Sequence, residues 1–443
     1  MYSHGIIKTH GREGINMLLK NGHLVDPSQA IDGVTDIRID DGVVSEVGPD
    51  LPEKKNEEIF DLSGCYIVPG LIDTHVHFRD PGQEESEDLE SGVKAAIAGG
   101  FTSVVAMPNT KPVIDSVPLI RYIREKSNRL GYADVLQTAA ITKGQEGKEI
   151  TEIGFLKEAG AIGFTEDGRS VASSGILRKA MSYSKPYDVI FMSHCEDLEL
   201  RGSGMMNAGA LATEMGLPGI ANEVEDMIIQ RDIMLAKMTG VRLHIQHLST
   251  ASGLELVRNA QKKGLPVSCE VTPHHLFLTE DSVRGYNTNA KVAPPLRTKE
   301  DNEALIEGLK DGTITCIGTD HAPHAAYKKD VEFEHAANGI SSIEVAFPLV
   351  WTNLVETGRF SLSEIISIMS CRPAELLRID RGSLFVGKVA DVMIFDPTVE
   401  KEVDPQTFYS KGKNCPYAGQ KLSGWPKMVL RAGRVVLKDG AIV

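Results

Sequence analysis

The sequence lacks the features that mark secreted, membrane-spanning and disulfide-stabilised proteins. Its six cysteines are scattered without C-x-x-C spacing, which is typical of reduced, buried thiols and not of a disulfide framework or a zinc knuckle. We find no run of about 18 uninterrupted apolar residues and no signal-peptide pattern, so neither membrane insertion nor secretion is expected. We therefore expect a cytoplasmic protein.

Clusters of basic residues are also missing. The chain has 47 lysines and arginines against 61 acidic residues, a net charge of −14, and no basic run that would bind a phosphate backbone. Nucleic acid is therefore not an expected partner. With 443 residues, 42% of them hydrophobic, the chain is long enough to form one large domain and a smaller one.

The pattern of apolar residues divides the chain into a middle region and two similar ends. Residues 1–16 have no regular period and are predicted to be a loose N-terminal extension, in which His4 and His10 are exposed to solvent. Residues 17–65 and 376–443 both alternate apolar and polar residues between Gly-containing turns. These two stretches predict one small β-sandwich domain built from both chain ends.

The middle region, residues 66–375, alternates short apolar strands with helical stretches. The first strand begins at Tyr66, and the later ones are predicted at residues 102–109, 133–142, 161–168, 188–196, 241–250, 266–275 and 316–324. Eight strands joined by helices are the number found in a (β/α)8 barrel of the TIM type, so the predicted class is α/β. In that fold the active site lies at the carboxyl ends of the strands.

Polar residues occur at the ends of these predicted strands. In "GLIDTHVHFRDPG" (residues 70–82), His75 and His77 lie two residues apart on one face of the first strand, close enough to share a metal ion. Hydrogen-bonded core histidines are the alternative interpretation. Four further strand ends carry metal-competent side chains, which are Asp167, His194, His247 and Asp320. Six such residues at the mouth of one barrel favour a common metal site over chance.

Several motifs resemble a known family. "GLIDTHVHFRDPG", "MPNT", "FTEDG", "SHCED", "HIQHLST", "PPLR" and "GTDHAPH" are similar, in order and spacing, to the metal-dependent cyclic amidohydrolases and, among them, the bacterial type I dihydroorotases. The resemblance extends over essentially the whole chain from Met17. It implies reversible hydrolysis of (S)-dihydroorotate to N-carbamoyl-L-aspartate, a step of pyrimidine (UMP) synthesis, with one or two Zn²⁺ ions per chain.

The resemblance also implies roles for individual residues. The implied metal ligands are His75, His77, Asp167, His194, His247 and Asp320. The two histidines of the first strand would bind the more buried ion together with Asp320, and the two later histidines the second, with Asp167 bridging or joining the site. Asp320 would also move the proton from the attacking water to the leaving ring nitrogen. Three other histidines are expected to have packing or supporting roles, namely His244, His274 and His275.

A further set of residues is expected to contact substrate. It consists of His77, Arg79, Asn109, Ala293, His324, Asn338 and Gly339. Arg79 offers a planar guanidinium that matches a carboxylate, although a surface arginine paired with Asp80 is the alternative. Ala293 stands where many relatives have asparagine, and Asn338 where they often have proline or phenylalanine. Residues 325–338 are either a mobile lid or a solvated loop.

Two other functions stay open at this point. The related hydantoinases and allantoinases usually have a carbamylated lysine on the fourth strand, whereas "AIGFTEDGRS" has no lysine and Asp167 takes that place. A non-catalytic scaffold would be expected to have lost ligands, and all six positions are filled here. The expected partners are the small-molecule substrate and a second copy in a homo-oligomer, most simply a dimer. Some family members work in complex with aspartate transcarbamoylase, and this sequence neither supports nor excludes such a complex.

Overall fold

A computed structural model of the protein describes residues 16–443, so His4, His10 and nearly all of the predicted N-terminal extension lie outside the described residues. In chain order the strands are β1 (Met17–Asp26), β2 (Ile31–Asp40), β3 (Val43–Gly48), β4 (Glu58–Asp61), β5 (Tyr66–Pro69), β6 (Leu71–Val76), β7 (Phe101–Ala106), β8 (Asp134–Gln137), β9 (Ala139–Ala140), β10 (Phe164–Thr165), β11 (Ile190–Ser193), β12 (Met206–Asn207), β13 (Gly219–Ile220), β14 (Arg242–Ile245), β15 (Val267–Val271), β16 (Cys316–Ile317), β17 (Val392–Phe395), β18 (Lys401–Glu402), β19 (Lys421–Leu422), β20 (Pro426–Arg431), β21 (Arg434–Lys438) and β22 (Ala441–Ile442).

The α-helices lie mostly between the strands of the middle region. They are α1 (Leu89–Ala98), α2 (Val117–Leu130), α3 (Ile153–Ala159), α4 (Ser174–Ser184), α5 (Leu198–Arg201), α6 (Ala210–Met215), α7 (Glu223–Thr239), α8 (Ala251–Lys262), α9 (Pro273–Phe277), α10 (Lys299–Lys310), α11 (Ala346–Val350), α12 (Leu362–Ile366) and α13 (Arg372–Leu377). Of the helices in residues 16–443, none is both long enough and apolar enough to cross a membrane. The predicted α/β class is confirmed by this mixture of elements.

Strands from both ends of the described chain form one sheet of nine strands. Its order is β22-β21-β20-β17-β5-β1-β2-β3, with β4 paired to β1. Strand β5 lies in the middle, parallel to β1 and antiparallel to β17, so it joins the N-terminal strands to the C-terminal ones. A separate apolar core beneath this sheet takes residues from both ends, among them Leu19, Ile37, Ile67, Val392 and Leu430.

The predicted boundary of this unit at residue 66 is wrong by four residues. Tyr66–Pro69 was predicted to open the first strand of the middle region, but it pairs with the terminal strands instead. The break falls at Gly70, whose N–H donates to Asp391 O at 2.9 Å. A Cβ at Gly70 would lie 2.2 Å from Thr102 Oγ1, so this close approach to β7 requires glycine.

The strands of the middle region run parallel to one another in chain order. Three of them form one sheet (β6-β7-β8) and six form another (β9-β10-β11-β14-β15-β16). Thr138 is the one residue between β8, the last strand of the first sheet, and β9, the first strand of the second. At the other end, Val76 of β6 forms a parallel bridge with His321, and His77 N–H donates to His321 O at 2.8 Å. The last strand segment is thereby joined back to the first.

The observed strands are shorter than the predicted ones at their carboxyl ends. Strand β10 ends at Thr165 and β16 at Ile317, so Asp167 and Asp320 follow their strands instead of lying within them. The strand predicted at 266–275 ends at Val271, because Thr272 caps α9 through its hydroxyl, which accepts a hydrogen bond from His275 N–H at 3.2 Å. Residues that follow a strand end, such as Asp167 and Asp320, do not have to alternate between the two faces of the sheet.

Candidate metal centre

All six side chains predicted to bind metal lie together at the carboxyl ends of the parallel strands. They occupy or follow β6, β10, β11, β14 and β16, and each is buried. Parallel strands bring their carboxyl ends to one edge of a sheet, which explains how residues far apart in sequence meet here. The six residues are His75, His77, Asp167, His194, His247 and Asp320.

Asp167 lies at the centre of this cluster. Its Oδ1 is 3.4 Å from both His75 Nε2 and His194 Nδ1. The same oxygen is 3.5 Å from His247 Nε2, and Oδ2 is 3.2 Å from His77 Nε2. One carboxylate therefore faces four imidazole nitrogens.

Asp320 approaches the cluster from the side of the first strand. Its Oδ1 is 3.0 Å from His77 Nε2 and 3.6 Å from His75 Nε2. Two overlapping sets of three side chains could each hold a metal ion, one of His75, Asp167 and His247 and one of His75, His77 and Asp320. Since His75 belongs to both sets, the two positions are neighbours.

Several buried atoms of the cluster have no hydrogen-bond partner among the described residues. His75 Nε2 and Asp167 Oδ1 are two of them. His194 Nδ1 and His247 Nε2 also face each other at 2.8 Å, so at most one of them can donate to the other. Buried polar atoms of proteins normally have partners, and a cation that accepts these lone pairs would supply them. The donor set of imidazoles and carboxylates fits Zn²⁺.

The carboxylates give the cluster a strong preference for positive charge. Burial raises the pKa of Asp167, but the neighbouring histidines, His75 first, lower it by more, so it lies well below its usual range. Burial lowers the pKa of His194, yet the hydrogen bonds that its ring donates to Asp167 and then Glu196 raise that pKa to about 10. The metal-free cluster therefore binds protons that a metal ion would have to displace.

Three of the predicted site residues have left-handed backbone conformations. The φ angles are +60° at Arg79, +33° at His247 and +45° at Asp320. Residues other than glycine seldom adopt this region, and the surrounding structure must hold those that do, in turns or at functional sites. All three residues follow a strand of the middle region, Arg79 after β6, His247 after β14 and Asp320 after β16.

Carboxylates that the sequence analysis did not identify contact two of the histidines from behind. Glu270 of β15 accepts from His75 Nδ1 at 2.7 Å, and Glu196 Oε2 lies 3.4 Å from His194 Nε2. A signal was present in the sequence: "VSCEV" places an acidic residue inside an otherwise buried strand, and "SHCED" places one two residues after a histidine. Such outer contacts fix the orientation of metal-binding imidazoles.

Arg79 is buried and lies beside the cluster. Its Nε donates to Pro323 O at 3.4 Å, and its guanidinium forms no ion pair within residues 16–443. Asp80 instead accepts from Lys126 Nζ at 2.5 Å. The alternative of a surface arginine paired with Asp80 is therefore wrong. A buried guanidinium without a carboxylate partner is suited to an anionic ligand.

The other predicted substrate contacts lie on loops around Arg79. Asn109 Oδ1 is 2.9 Å from His77 Nδ1, and His324 Nε2 donates to Asn338 O at 2.8 Å. Gly339 has a φ of +142°, and a Cβ there would lie 2.7 Å from Ala322 Cβ and 3.0 Å from His324 Nε2. Ala293 is half-buried and has no polar side-chain atom with which to contact a ligand.

Residues 325–338 form a loop with buried anchors. Lys329 Nζ donates to Thr288 O at 2.8 Å and to Ala337 O at 2.7 Å, and Phe333 is buried in an apolar cluster. Burial lowers the pKa of Lys329 to about 7. Glu332, Glu334 and His335 are exposed along the same loop. It is thus not simply a solvated loop, and its movement as a lid stays a prediction.

The three histidines predicted to have packing or supporting roles differ in whether their ring nitrogens have hydrogen-bond partners. His244 contacts Glu270 and Ser268, and His275 Nε2 donates to Pro294 O at 3.1 Å. Both ring nitrogens of His274 are buried without a partner in the described part of the chain. Burial lowers its pKa to about 4, so it is neutral at physiological pH.

Comparison with known proteins gives a consistent family. The pattern that defines "Dihydro-orotase-like" proteins matches residues 64–253. A protein named dihydroorotase from Acetivibrio thermocellus is 46% identical over 427 residues, which cover 96% of this chain and 100% of that one. A protein of the same name from Pelobacter propionicus is 46% identical over 424 residues, with 96% and 100% covered.

Solved structures with a similar fold carry the names of related enzymes. An L-hydantoinase (dihydropyrimidinase) from Arthrobacter aurescens has a TM-score of 0.87 and 28% identity, covering 97% of each chain. A D-hydantoinase (dihydropyrimidinase) from Thermus sp. has a TM-score of 0.83 and 26% identity, covering 96% of each chain. The fold is thus shared with the hydantoinases, while the sequence is closer to proteins named dihydroorotase. The chain belongs to the dihydroorotase family.

Proposed function

We propose that this chain is a zinc-dependent dihydroorotase that interconverts (S)-dihydroorotate and N-carbamoyl-L-aspartate in the cytoplasm, as a step of pyrimidine synthesis. The observation that carries the proposal is the position of the buried guanidinium of Arg79, which has no ion pair within residues 16–443, beside six clustered metal-competent side chains. The ring of dihydroorotate has a carboxylate for the first group and a cyclic amide for the second.

The same proposal includes the finer description of the fold. The middle strands follow one another in parallel and the segment after the last is bridged to the first, which supports a closed (β/α)8 barrel. The nine-stranded sheet has its own apolar core, which supports a small β-sandwich built from residues 17–69 and 376–443.

The metal would be held by the six clustered side chains and the substrate by the loops around them. The proposed metal ligands are His75, His77, Asp167, His194, His247 and Asp320. Bound zinc supplies a nucleophile from water at neutral pH and polarises the amide carbonyl. Imidazole and carboxylate donors suit zinc, and the room for one or two ions follows from the two overlapping sets that share His75.

The protein side chains orient the substrate and move the proton. Arg79 binds the ring carboxylate, with Asn109 and His324 as further contacts from the loops. Asp320 accepts the proton of the attacking water and donates it to the leaving ring nitrogen, so it acts first as base and then as acid. In the reverse direction the same carboxylate takes the proton from the carbamoyl nitrogen as the ring closes and passes it to the carboxyl oxygen whose bond to carbon breaks. Proton transfer of this kind accelerates reactions by roughly 10²- to 10⁴-fold.

A hydantoinase-type activity is the second candidate, because the structural relatives carry that name. Two residues oppose it. Asp167 stands where the sister enzymes usually have a carbamylated lysine, and Arg79 is suited to a charged ring instead of an uncharged one. A non-catalytic scaffold is opposed by the complete set of six clustered side chains.

Two further proposals concern partners. We propose a homodimer, to be tested by light scattering on the purified protein. Association with aspartate transcarbamoylase is tested by co-purifying the two chains and comparing turnover with and without that enzyme.

The test of the function is a comparison of three substrates. Purified protein with zinc should hydrolyse dihydroorotate with a kcat/KM well above that for dihydrouracil and hydantoin, because only dihydroorotate has the carboxylate. A preference for either uncharged ring would favour the hydantoinase alternative. Absence of turnover on all three, with metal bound, would favour the scaffold.

A further inference from the structure

Glu270 is the centre of a buried hydrogen-bond network directly behind the proposed metal ligands. Its Oε1 accepts from His75 Nδ1 at 2.7 Å, and its Oε2 accepts from His244 Nε2 at 3.1 Å. The hydroxyl of Thr74 also donates to Oε2. All four side chains are fully buried. Both oxygens of this carboxylate on β15 are thus used by groups on two other strands, β6 and β14.

This arrangement decides which nitrogen of His75 faces the cluster. With Nδ1–H donated to Glu270, the lone pair is on Nε2, which lies 3.4 Å from Asp167 and 3.6 Å from Asp320. The amide of Gln246 is also near Nδ1, at 3.2 Å, but the carboxylate is closer and carries charge, so it takes the hydrogen bond. Only a neutral imidazole with this tautomer can offer Nε2 to a metal ion.

The network is held in place on its far side. His244 Nδ1 lies 2.9 Å from Ser268 Oγ, so this imidazole is fixed at both ring nitrogens. Gly318, two residues before Asp320, packs against the carboxylate. A Cβ at Gly318 would lie 2.7 Å from Thr74 Oγ1 and 2.8 Å from Glu270 Oε2. Glu270 can therefore not swing away from His75 without displacing a strand or the segment that leads to Asp320.

We propose that Glu270 is a positioning residue for metal binding, and that His244 acts through it. Glu270 fixes the tautomer and orientation of His75 and, as an anionic acceptor, makes Nε2 a stronger ligand. His244 keeps Glu270 in place by donating to its second oxygen. The inference rests on the proposed function only in taking His75 as a metal ligand. It gives His244 a role in metal affinity, beyond filling the interior.

The first experiment compares zinc affinity in Glu270→Gln and wild type by competition with a chelator of known affinity. Glutamine keeps the shape, but its amide group has hydrogens where one oxygen accepted them, so one of the two histidine bonds is lost. We expect the zinc dissociation constant to rise about 10- to 100-fold, the range for mutation of such outer partners. The matched control is Glu344→Gln, a buried glutamate that accepts backbone N–H groups of Tyr409 and Ser410. Its zinc affinity should equal that of wild type.

A second pair of variants separates positioning from folding. His244→Gln keeps an N–H that reaches toward Glu270, and His244→Leu fills similar space without a donor. We expect zinc affinity to stay within about threefold of wild type in the first and to fall at least about tenfold in the second. Equal affinity in His244→Leu and His244→Gln, or wild-type affinity in a folded Glu270→Gln, would overturn the proposal.

The readout is metal binding, so it does not depend on which ring is hydrolysed. If wild type fails to turn over dihydroorotate but Glu270→Gln still loses zinc affinity, the proposed function is wrong and the positioning role stands. If His75→Ala binds zinc as wild type does, His75 is not a ligand and the positioning role is overturned.

Discussion

The two sides of the site are built in different ways. On the metal side, every proposed ligand lies in a parallel strand or within three residues of its end, and each has a ligand atom within 3.6 Å of a ligand atom of another. On the substrate side, Arg79, Asn109, His324 and Gly339 come from loops that are held by buried backbone contacts. Strand pairing therefore fixes the reacting atoms, and the loops can vary to set which ring is bound.

The largest effect is expected from a substitution of Asp320, the proposed proton carrier on the metal side. Asp320→Asn retains the shape of the side chain but cannot accept a proton. We expect turnover of dihydroorotate to fall by about 10²- to 10⁴-fold even in protein that retains zinc. The matched control is Asp330→Asn on the exposed surface of the 325–338 loop, which should leave turnover unchanged. Near wild-type turnover in Asp320→Asn would remove this residue from the mechanism.

Removal of a metal ligand should lower zinc binding and catalytic activity together. His75 belongs to both sets of three ligands, so His75→Ala should lower zinc content and activity in parallel, and His77→Ala should do the same. Metal analysis after dialysis, alongside turnover, measures this. His335→Ala is the control, because its imidazole is exposed and pairs with Glu334 on the surface. Full zinc occupancy in the His75 and His77 variants would contradict the ligand assignment.

A change on the substrate side should alter selectivity instead. Arg79→Met removes the guanidinium and keeps an apolar chain. A hydrogen bond to a charged group contributes roughly 1.5–3 kcal/mol, so kcat/KM on dihydroorotate should fall about 10- to 150-fold. Hydrolysis of dihydrouracil and hydantoin should stay level, and so should zinc content. An equal loss on all three rings would mean that Arg79 supports the fold and not the carboxylate.

Metal binding should also depend on pH, because a histidine of the metal side holds a proton when no metal is bound. The pKa of His194 is raised to about 10 from 6.5 in the metal-free protein, so this imidazole is protonated at neutral pH and must lose its proton to bind metal. Apparent zinc affinity should therefore rise with pH between 6 and 8, by about tenfold per pH unit for each proton displaced. Chelator competition at several pH values measures the slope. A flat profile would show that no histidine of the cluster holds a proton.

The smallest effect is expected at His274, which is not among the proposed metal ligands or substrate contacts. Its ring nitrogens are buried without partners in the described residues, an unfavourable arrangement for the fold. His274→Leu removes the unsatisfied groups at similar volume, so the free energy of unfolding should stay level or rise by about 1 kcal/mol. Denaturant unfolding measures it, and turnover should not change. A loss of turnover without a loss of stability would give His274 a function in the site.

Much of the metal side could be predicted from the sequence, because its signals are local. The His-x-His pair shows in the alternation of one strand, and the other ligands follow apolar runs of recognisable length. The positive φ angles at His247 and Asp320 could not be predicted, since nothing in the sequence favours a left-handed residue there. Glu270 was missed for a related reason. Its partners on β6 and β14 are distant in sequence, and only the paired strands bring them together.

The substrate side and the sheet boundary were harder to predict. The carbonyl groups that accept from Lys329 come from residues 288, 291 and 337, and no local sequence pattern predicts such contacts. Tyr66–Pro69 and the following β6 read as one apolar run, and only their different pairing partners separate them. The local signs of that break were Pro69 and Gly70.

The central place of β5 in the terminal sheet has a consequence for how the protein is made. A ribosome synthesises β5 early, but its antiparallel partner β17 only after the whole middle region. During that interval one edge of β5 has no partner, and an unpaired edge is a template for pairing with other chains. Newly made chains should therefore be most prone to aggregate before residue 395 emerges, and chaperones that shield strand edges should help most in that interval.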